Sequence, residues 1–245
     1  ENTMTALALR AHHYSSNIQI HVAETKAEHE ECKQRRGGLT PVQYLKKIGV
    51  LNTPTYMAHC VWLEDEDLAI LKECGATLVH NPTSNMKLGS GFAPIAKALE
   101  MGVNVALGTD GCASNNNLNM FEEMHLAALL QKGLHNDPTL VTADQVLDMA
   151  TVSGAKALGR PDTGMLCEGM KADIIALDMD RFHLKPAGDI ANLLVYSAQA
   201  SDVVMTMVEG NVLYDNGCFT TIDAKRAEEA YFAAIRRLMT PPGEE

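Results

Sequence analysis

The chain lacks any apolar run near the roughly 18–20 residues that cross a bilayer, so a membrane-spanning helix is excluded at the level of sequence. It also lacks a CxxC pair. Its 6 cysteines, Cys32, Cys60, Cys74, Cys112, Cys167 and Cys218, are scattered along 245 residues. Such spacing in a chain of this length points to reduced thiols of a cytoplasmic protein rather than to a disulfide framework. There is no excess of basic residues: 20 Lys and Arg stand against 31 Asp and Glu, for a net charge of −11. That balance argues against nucleic acid or an anionic membrane surface as the main partner, since both require basic patches. The short run Lys33-Gln34-Arg35-Arg36 reads as a solvated helix end. Glu1-Asn2-Thr3-Met4 has neither the basic nor the apolar region of a secretory signal. Because the first residue is not Met and the pattern starts midway, a fragment or shortened form is expected.

What is present is a composition able to bury a large core: 46% of the residues are hydrophobic. Over the first two thirds, apolar runs at 18–22, 55–58, 76–80 and 103–107 alternate with helix-forming stretches. Helices are expected over 3–16, 25–36, 41–48, 64–74, 93–101, 120–131 and 142–158. Repeated βα units with nearly continuous apolar strands imply a parallel sheet with helices on its faces. Near Thr163 the pattern changes to short runs separated by turn residues, which predicts an antiparallel β region, followed by a helix from about 224 to 238 and a Pro/Gly/Glu tail. The expected division is therefore 1–160 and 161–245. Four strands cannot close an eight-stranded barrel, so exposed edges and an apolar inner face are expected to need cover from upstream residues, a partner chain or local repacking.

The chemistry-bearing residues sit where these strands end. His21 and Glu24 follow Ile18-Gln19-Ile20, His59 follows Met57-Ala58, and Asp110 follows Leu107-Gly108-Thr109. In α/β barrels the carboxyl ends of the strands form the reaction floor. Two imidazoles and two carboxylates meeting there suggest a divalent metal site with a general acid/base beside it. Each has a plain alternative: a packed histidine at 21 or 59, a surface glutamate at 24, a turn or helix-capping aspartate at 110. Three polar strand ends in succession favour the functional reading.

The motifs His21-Val22-Ala23-Glu24-Thr25, Ala58-His59-Cys60, His80-Asn81-Pro82-Thr83-Ser84-Asn85 and Leu107-Gly108-Thr109-Asp110-Gly111 extend through Ala113-Ser114-Asn115-Asn116-Asn117. With the later Gly164 to Asp173 segment, they resemble the amidohydrolase superfamily, and within it the 5-methylthioadenosine/S-adenosylhomocysteine deaminases. The resemblance implies the C-terminal half of a metal-dependent (β/α)8 barrel, strands five to eight, plus part of a small β-sandwich. It implies one divalent metal, zinc or alternatively iron, held by His21 and Asp110. Glu24 would carry a proton from the hydrolytic water to the purine ring nitrogen, His59 would contact substrate or polarise that water, and Asp110 would also accept a proton. Glu24, His59 and Asp110 would therefore be both catalytic and substrate-binding. The segment Ser84–Gly91 would wall the pocket as a loop, and Trp62 is a candidate to line it.

The family's first-strand His-x-His pair is absent. His12-His13 are adjacent rather than alternate and fall on a predicted helix, so they read as surface residues. With two ligands left, the chain as written is expected to bind metal weakly and to be nearly inactive, the enzyme being the parent protein with its N-terminal half, or a homo-oligomer. Hydrolytic deamination of adenosine-type nucleosides is the expected reaction. Another aminohydrolase or chlorohydrolase acting on triazine, guanine or cytosine, and a truncated non-catalytic fragment, are the competing readings.

Overall fold

The computed structural model describes residues 2–240; the Pro/Gly/Glu tail lies outside the described residues. Four strands, β1 (Ile18–Val22), β2 (Thr55–His59), β3 (Thr77–His80) and β4 (Asn104–Leu107), form one parallel sheet in sequence order. Helices α1 (Asn2–His13), α2 (Lys26–Arg35), α3 (Pro41–Lys47), α4 (Asp65–Cys74), α5 (Pro82–Lys87) and α6 (Ile95–Glu100) are interleaved with them. After β4 come α7 (Cys112–Asn115), α8 (Met120–His135), α9 (Ala143–Ala150) and α10 (Val152–Ala157).

Local chemistry explains most of these boundaries. Thr40 starts α3 through a capping box with Gln43, with Pro41 in the first turn where its missing N–H costs nothing. Glu64 and Asp67 cap α4 reciprocally, and Gly75 ends it in a left-handed conformation that a side chain would resist. The stretch expected as one helix over 142–158 is broken at Thr151, whose φ of −127° and ψ of −93° separate α9 from α10. The β-branched pair Thr151-Val152 and nearby Gly154 hold a helix weakly. The break frees α10 to bridge the two edges of the sheet: Asn17 Nδ2 donates to Ala157 O at 3.0 Å, and Asn104 Nδ2 to Ser153 O at 3.2 Å. The local repacking foreseen for an open half sheet therefore runs from β4 to β1.

The helices do not cover the two sheet faces equally. Val22, Met57, Leu78 and Val105 pack into one hydrophobic core with Leu45, Leu68, Leu71, Ile95, Ala127 and Met149. The opposite face bears Gln19, His21 and Tyr56 beside Ala58, Val79 and Ala106, and lines a cavity of about 430 Å³. That face is more polar than the sequence led us to expect.

The second sheet is antiparallel, in the order β5 (Ile174–Leu177), β6 (Val203–Val208), β7 (Asn211–Asp215) and β8 (Cys218–Phe219). The run Gly164-Met165-Leu166 forms no strand. Helix α11 (Ile190–Tyr196), inserted between β5 and β6, brings Ala191 and Val195 into the same core as the parallel sheet. Helix α12 (Ala224–Met239) is exposed along almost its whole length. All six cysteines are free. Among the described residues, no helix is long and apolar enough to cross a membrane.

His80 ends β3 facing the helices, fully buried, and neither ring nitrogen has a hydrogen-bond partner among the described residues. Burial, with nearby His59 adding to it, pushes its pKa down to about 3. An unfolded chain protonates the same ring near about 6.5. Between those values the unfolded state binds the extra proton, so stability falls as the pH falls, by up to about 1.4 kcal/mol per unit. Urea denaturation is expected to show a shallower acid slope for His80→Phe than for the native protein between about pH 6 and pH 4. Equal slopes would remove His80 as the source.

Candidate metal centre

The parallel register sets His21 opposite Ala58 and Val22 opposite His59. Strict alternation along β2 puts Tyr56 and Ala58 on the cavity side and would send the ring of His59 toward the helices. The backbone departs from alternation at that residue: His59 has φ +72° and Cys60 φ +49°. Left-handed backbone at such residues costs about 1–3 kcal/mol each and is held only where the surroundings impose it. Here the departure brings the His59 ring to a near-parallel stack with His21, centroids 5.2 Å apart. Asp110 is bent the same way at the end of β4, with φ +60°.

One potential ligand atom from each of His21, His59 and Asp110 lies within 4.8 Å of the other two. His21 is exposed to the cavity, His59 is buried and Asp110 half-buried. The sequence led us to expect a pair of protein ligands, His21 and Asp110; the structure groups His59 with them. Two imidazoles and a carboxylate form a donor set that catalytic zinc takes, with a fourth position left open. The residues present therefore fit a divalent cation. His12 and His13 are exposed on α1, as expected.

Glu24 stands beside this group. Its Oε2 lies 3.8 Å from His59 Nε2, and Ser90 Oγ donates to its Oε1 at 3.3 Å. The turn that carries it is clamped by Glu28, whose carboxylate accepts the backbone N–H of Ala23 at 2.9 Å and of Glu24 at 2.8 Å. Nothing in the spacing of Glu28 announces this role; its position in the first turn of a charged helix hides it.

Several supporting side chains come from the His80–Asn85 motif. Ser84 Oγ donates to Asp110 Oδ2 at 2.7 Å, Asn85 Oδ1 faces His59 Nδ1 at 2.8 Å, and Asn81 Oδ1 accepts the His59 backbone N–H at 3.3 Å. Gly108 is required for that approach, because a Cβ there would sit 2.8 Å from Asn81 Nδ2 and 2.9 Å from a Val79 methyl. The segment expected as a loop over Ser84–Gly91 begins within α5 instead. Pro82 in the first turn was the available helix signal. Burial raises the Asp110 carboxyl, but the Ser84 hydroxyl, the Gly111 backbone N–H, Ser114 and nearby His59 outweigh it and hold it below the ordinary carboxylate range. Burial pushes the Cys60 thiol up, so it is no nucleophile despite its place beside His59. Trp62 does not line the cavity that holds His21 and Asp110; its Nε1 donates to Ser90 O at 2.8 Å.

Metal-dependent hydrolases built on α/β barrels place such a donor set at the carboxyl ends of their strands. The chain belongs to the amidohydrolase family, whose profile matches residues 1–213. It is 50% identical over 215 residues to a 5-methylthioadenosine/S-adenosylhomocysteine deaminase of Acetivibrio thermocellus, covering 87% of this chain and 50% of that protein. It is 50% identical over 235 residues to a 5'-deoxyadenosine deaminase of Methanosarcina acetivorans, covering 96% and 54%. Among solved structures, an adenosine deaminase from Xanthomonas campestris with bound zinc superposes with a TM-score of 0.92 at 30% identity, covering 96% of this chain and 53% of that one. The chain spans about half the length of the curated relatives it matches.

Proposed function

We propose that the protein to which this chain contributes is a metal-dependent deaminase of adenosine-type nucleosides, such as S-adenosylhomocysteine, 5-methylthioadenosine or 5'-deoxyadenosine. The observation that carries this reading is the convergence of His21, His59 and Asp110 beside the Glu24 carboxylate. The names of relatives at 50% identity give the substrate class. Zinc is the proposed cation, supported by the zinc-bound structural neighbour. Residues 1–160 would be strands five to eight of a (β/α)8 barrel and 161–245 the C-terminal share of a β-sandwich, with α11 tying the two together through the common core.

The residues have distinct tasks in this scheme. His21 and Asp110 would hold the cation, which when bound would supply Lewis-acid activation of water near neutral pH. Glu24, half-buried and fixed by Ser90 and Glu28, moves a proton to the purine ring nitrogen as water attacks C6 and ammonia leaves. Asp110, held ionised by the Ser84 hydroxyl, takes a proton from the attacking water. His59, grouped with these two, orients that water through Nε2. The cavity of about 430 Å³ is within the size range of small-molecule sites.

The test is ammonia release from purified, zinc-loaded protein, followed together with the ultraviolet change of the purine, over a panel of adenosine-type nucleosides, guanine, cytosine and a chlorotriazine. Turnover confined to the adenosine-type compounds is expected. Turnover of only guanine, cytosine or the triazine would replace this reading with another amidohydrolase activity.

A further inference from the structure

His59 has two ring nitrogens with separate surroundings. Nδ1 lies 2.8 Å from Asn85 Oδ1, and the two side chains are each only 1% exposed. An amide oxygen can only accept, so in the neutral ring the proton sits on Nδ1 and Nε2 keeps its lone pair. Nε2 faces the site, 3.8 Å from Glu24 Oε2. Asn85 bears a cost at this position: its Nδ2 is buried without a hydrogen-bond partner among the described residues. An unpaired buried amide costs about 1–3 kcal/mol. A leucine would fill the same space without that cost, so packing does not account for an asparagine here.

The helix that carries Asn85 is anchored from outside the site. Glu123 on α8, fully buried, accepts the Thr83 backbone N–H at 3.2 Å through Oε2 and Asn115 Nδ2 at 2.6 Å through Oε1. The same turn of α5 sends Ser84 to Asp110. One short helix thus holds two of the three grouped residues.

We propose that Asn85 is a positioning residue that fixes the tautomer of His59, its amide oxygen keeping the proton on Nδ1 so that the Nε2 lone pair is offered toward His21 and Asp110. The inference deepens the deaminase reading and takes from it only the task of His59, to orient the attacking water. The hydrogen bond made by one ring nitrogen decides which nitrogen of a histidine carries the proton.

The test reads the ring directly. In the metal-free full chain at about pH 8, above the ordinary imidazole pKa of about 6.5, long-range proton–nitrogen NMR is expected to show His59 protonated at Nδ1 and bare at Nε2. In Asn85→Leu the proton should move to Nε2. Asn85→Asp, which keeps an acceptor oxygen, should show the native pattern. A native His59 carrying its proton on Nε2, or an Asn85→Leu protein with an unchanged tautomer, would overturn the proposal. Should Asn85→Leu fail to fold, the spectrum of the native protein decides alone. Because this readout needs no substrate, it stands or falls apart from ammonia release: the native tautomer in a protein that deaminates nothing would end only the deaminase reading.

Discussion

Asp110→Ala is expected to abolish both stoichiometric metal binding and turnover. The carboxylate is one of three groups that converge within 4.8 Å, and Ser84 holds it in its ionised form. Without it, His21 is the one proposed ligand left among the grouped residues, fewer than the three protein ligands of catalytic zinc sites. A catalytic cation contributes several kcal/mol of transition-state stabilisation, and each 1.36 kcal/mol is a factor of ten in rate. The loss should therefore be about three orders of magnitude or more, with metal per chain falling toward zero by elemental mass spectrometry. His21→Ala should behave alike. A variant that keeps one zinc per chain and near-native ammonia release would show that the convergence of these side chains is not the metal centre.

Glu24→Gln separates proton transfer from metal binding. Glutamine has the same shape and keeps an oxygen for the Ser90 hydroxyl, which donates to Oε1 at 3.3 Å. Only the ability to take up and release a proton is removed. General acid–base groups contribute roughly 10²–10⁴-fold, so ammonia release should fall by that factor while zinc content stays at the native level. A rate within about tenfold of native would assign the shuttle to another group, since a missing general acid–base catalyst costs more than that. A parallel loss of zinc would move Glu24 into the donor set.

The four parallel strands were legible because buried strands between helices need continuous apolar runs, and such runs are few and bounded by Gly75 and Gly102. The helix start at Thr40 was legible because a capping threonine is followed at once by Pro41, and the helix end at Gly75 because glycine alone takes a left-handed stop freely. The break at Thr151 was not, because it depends on α10 reaching Asn17 and Asn104, far away in sequence. Helix α5 was taken for loop since it is only six residues long, too short for a periodic signal.

At the candidate site, His21, Glu24, His59 and Asp110 could be named from their places at strand ends. Their meeting at one site was expected too, but not that His59 would stand as close to His21 and Asp110 as these stand to each other. Alternation along β2 would aim His59 into the helix layer, and only the left-handed backbone at 59 and 60 turns it to His21 and Asp110. The supports were still less legible: Glu28, Asn85 and Glu123 are an ordinary helix glutamate, a motif asparagine and an amphipathic-helix acid until the fold sets them against their partners. By itself the sequence determined the order of elements and which residue types stand at each strand's end, because propensity, capping and apolar run length act over a few neighbouring residues. The tertiary structure decided which of those side chains share one space and which nitrogen of His59 faces it, because packing alone holds a strained backbone and a buried hydrogen bond between residues 26 positions apart.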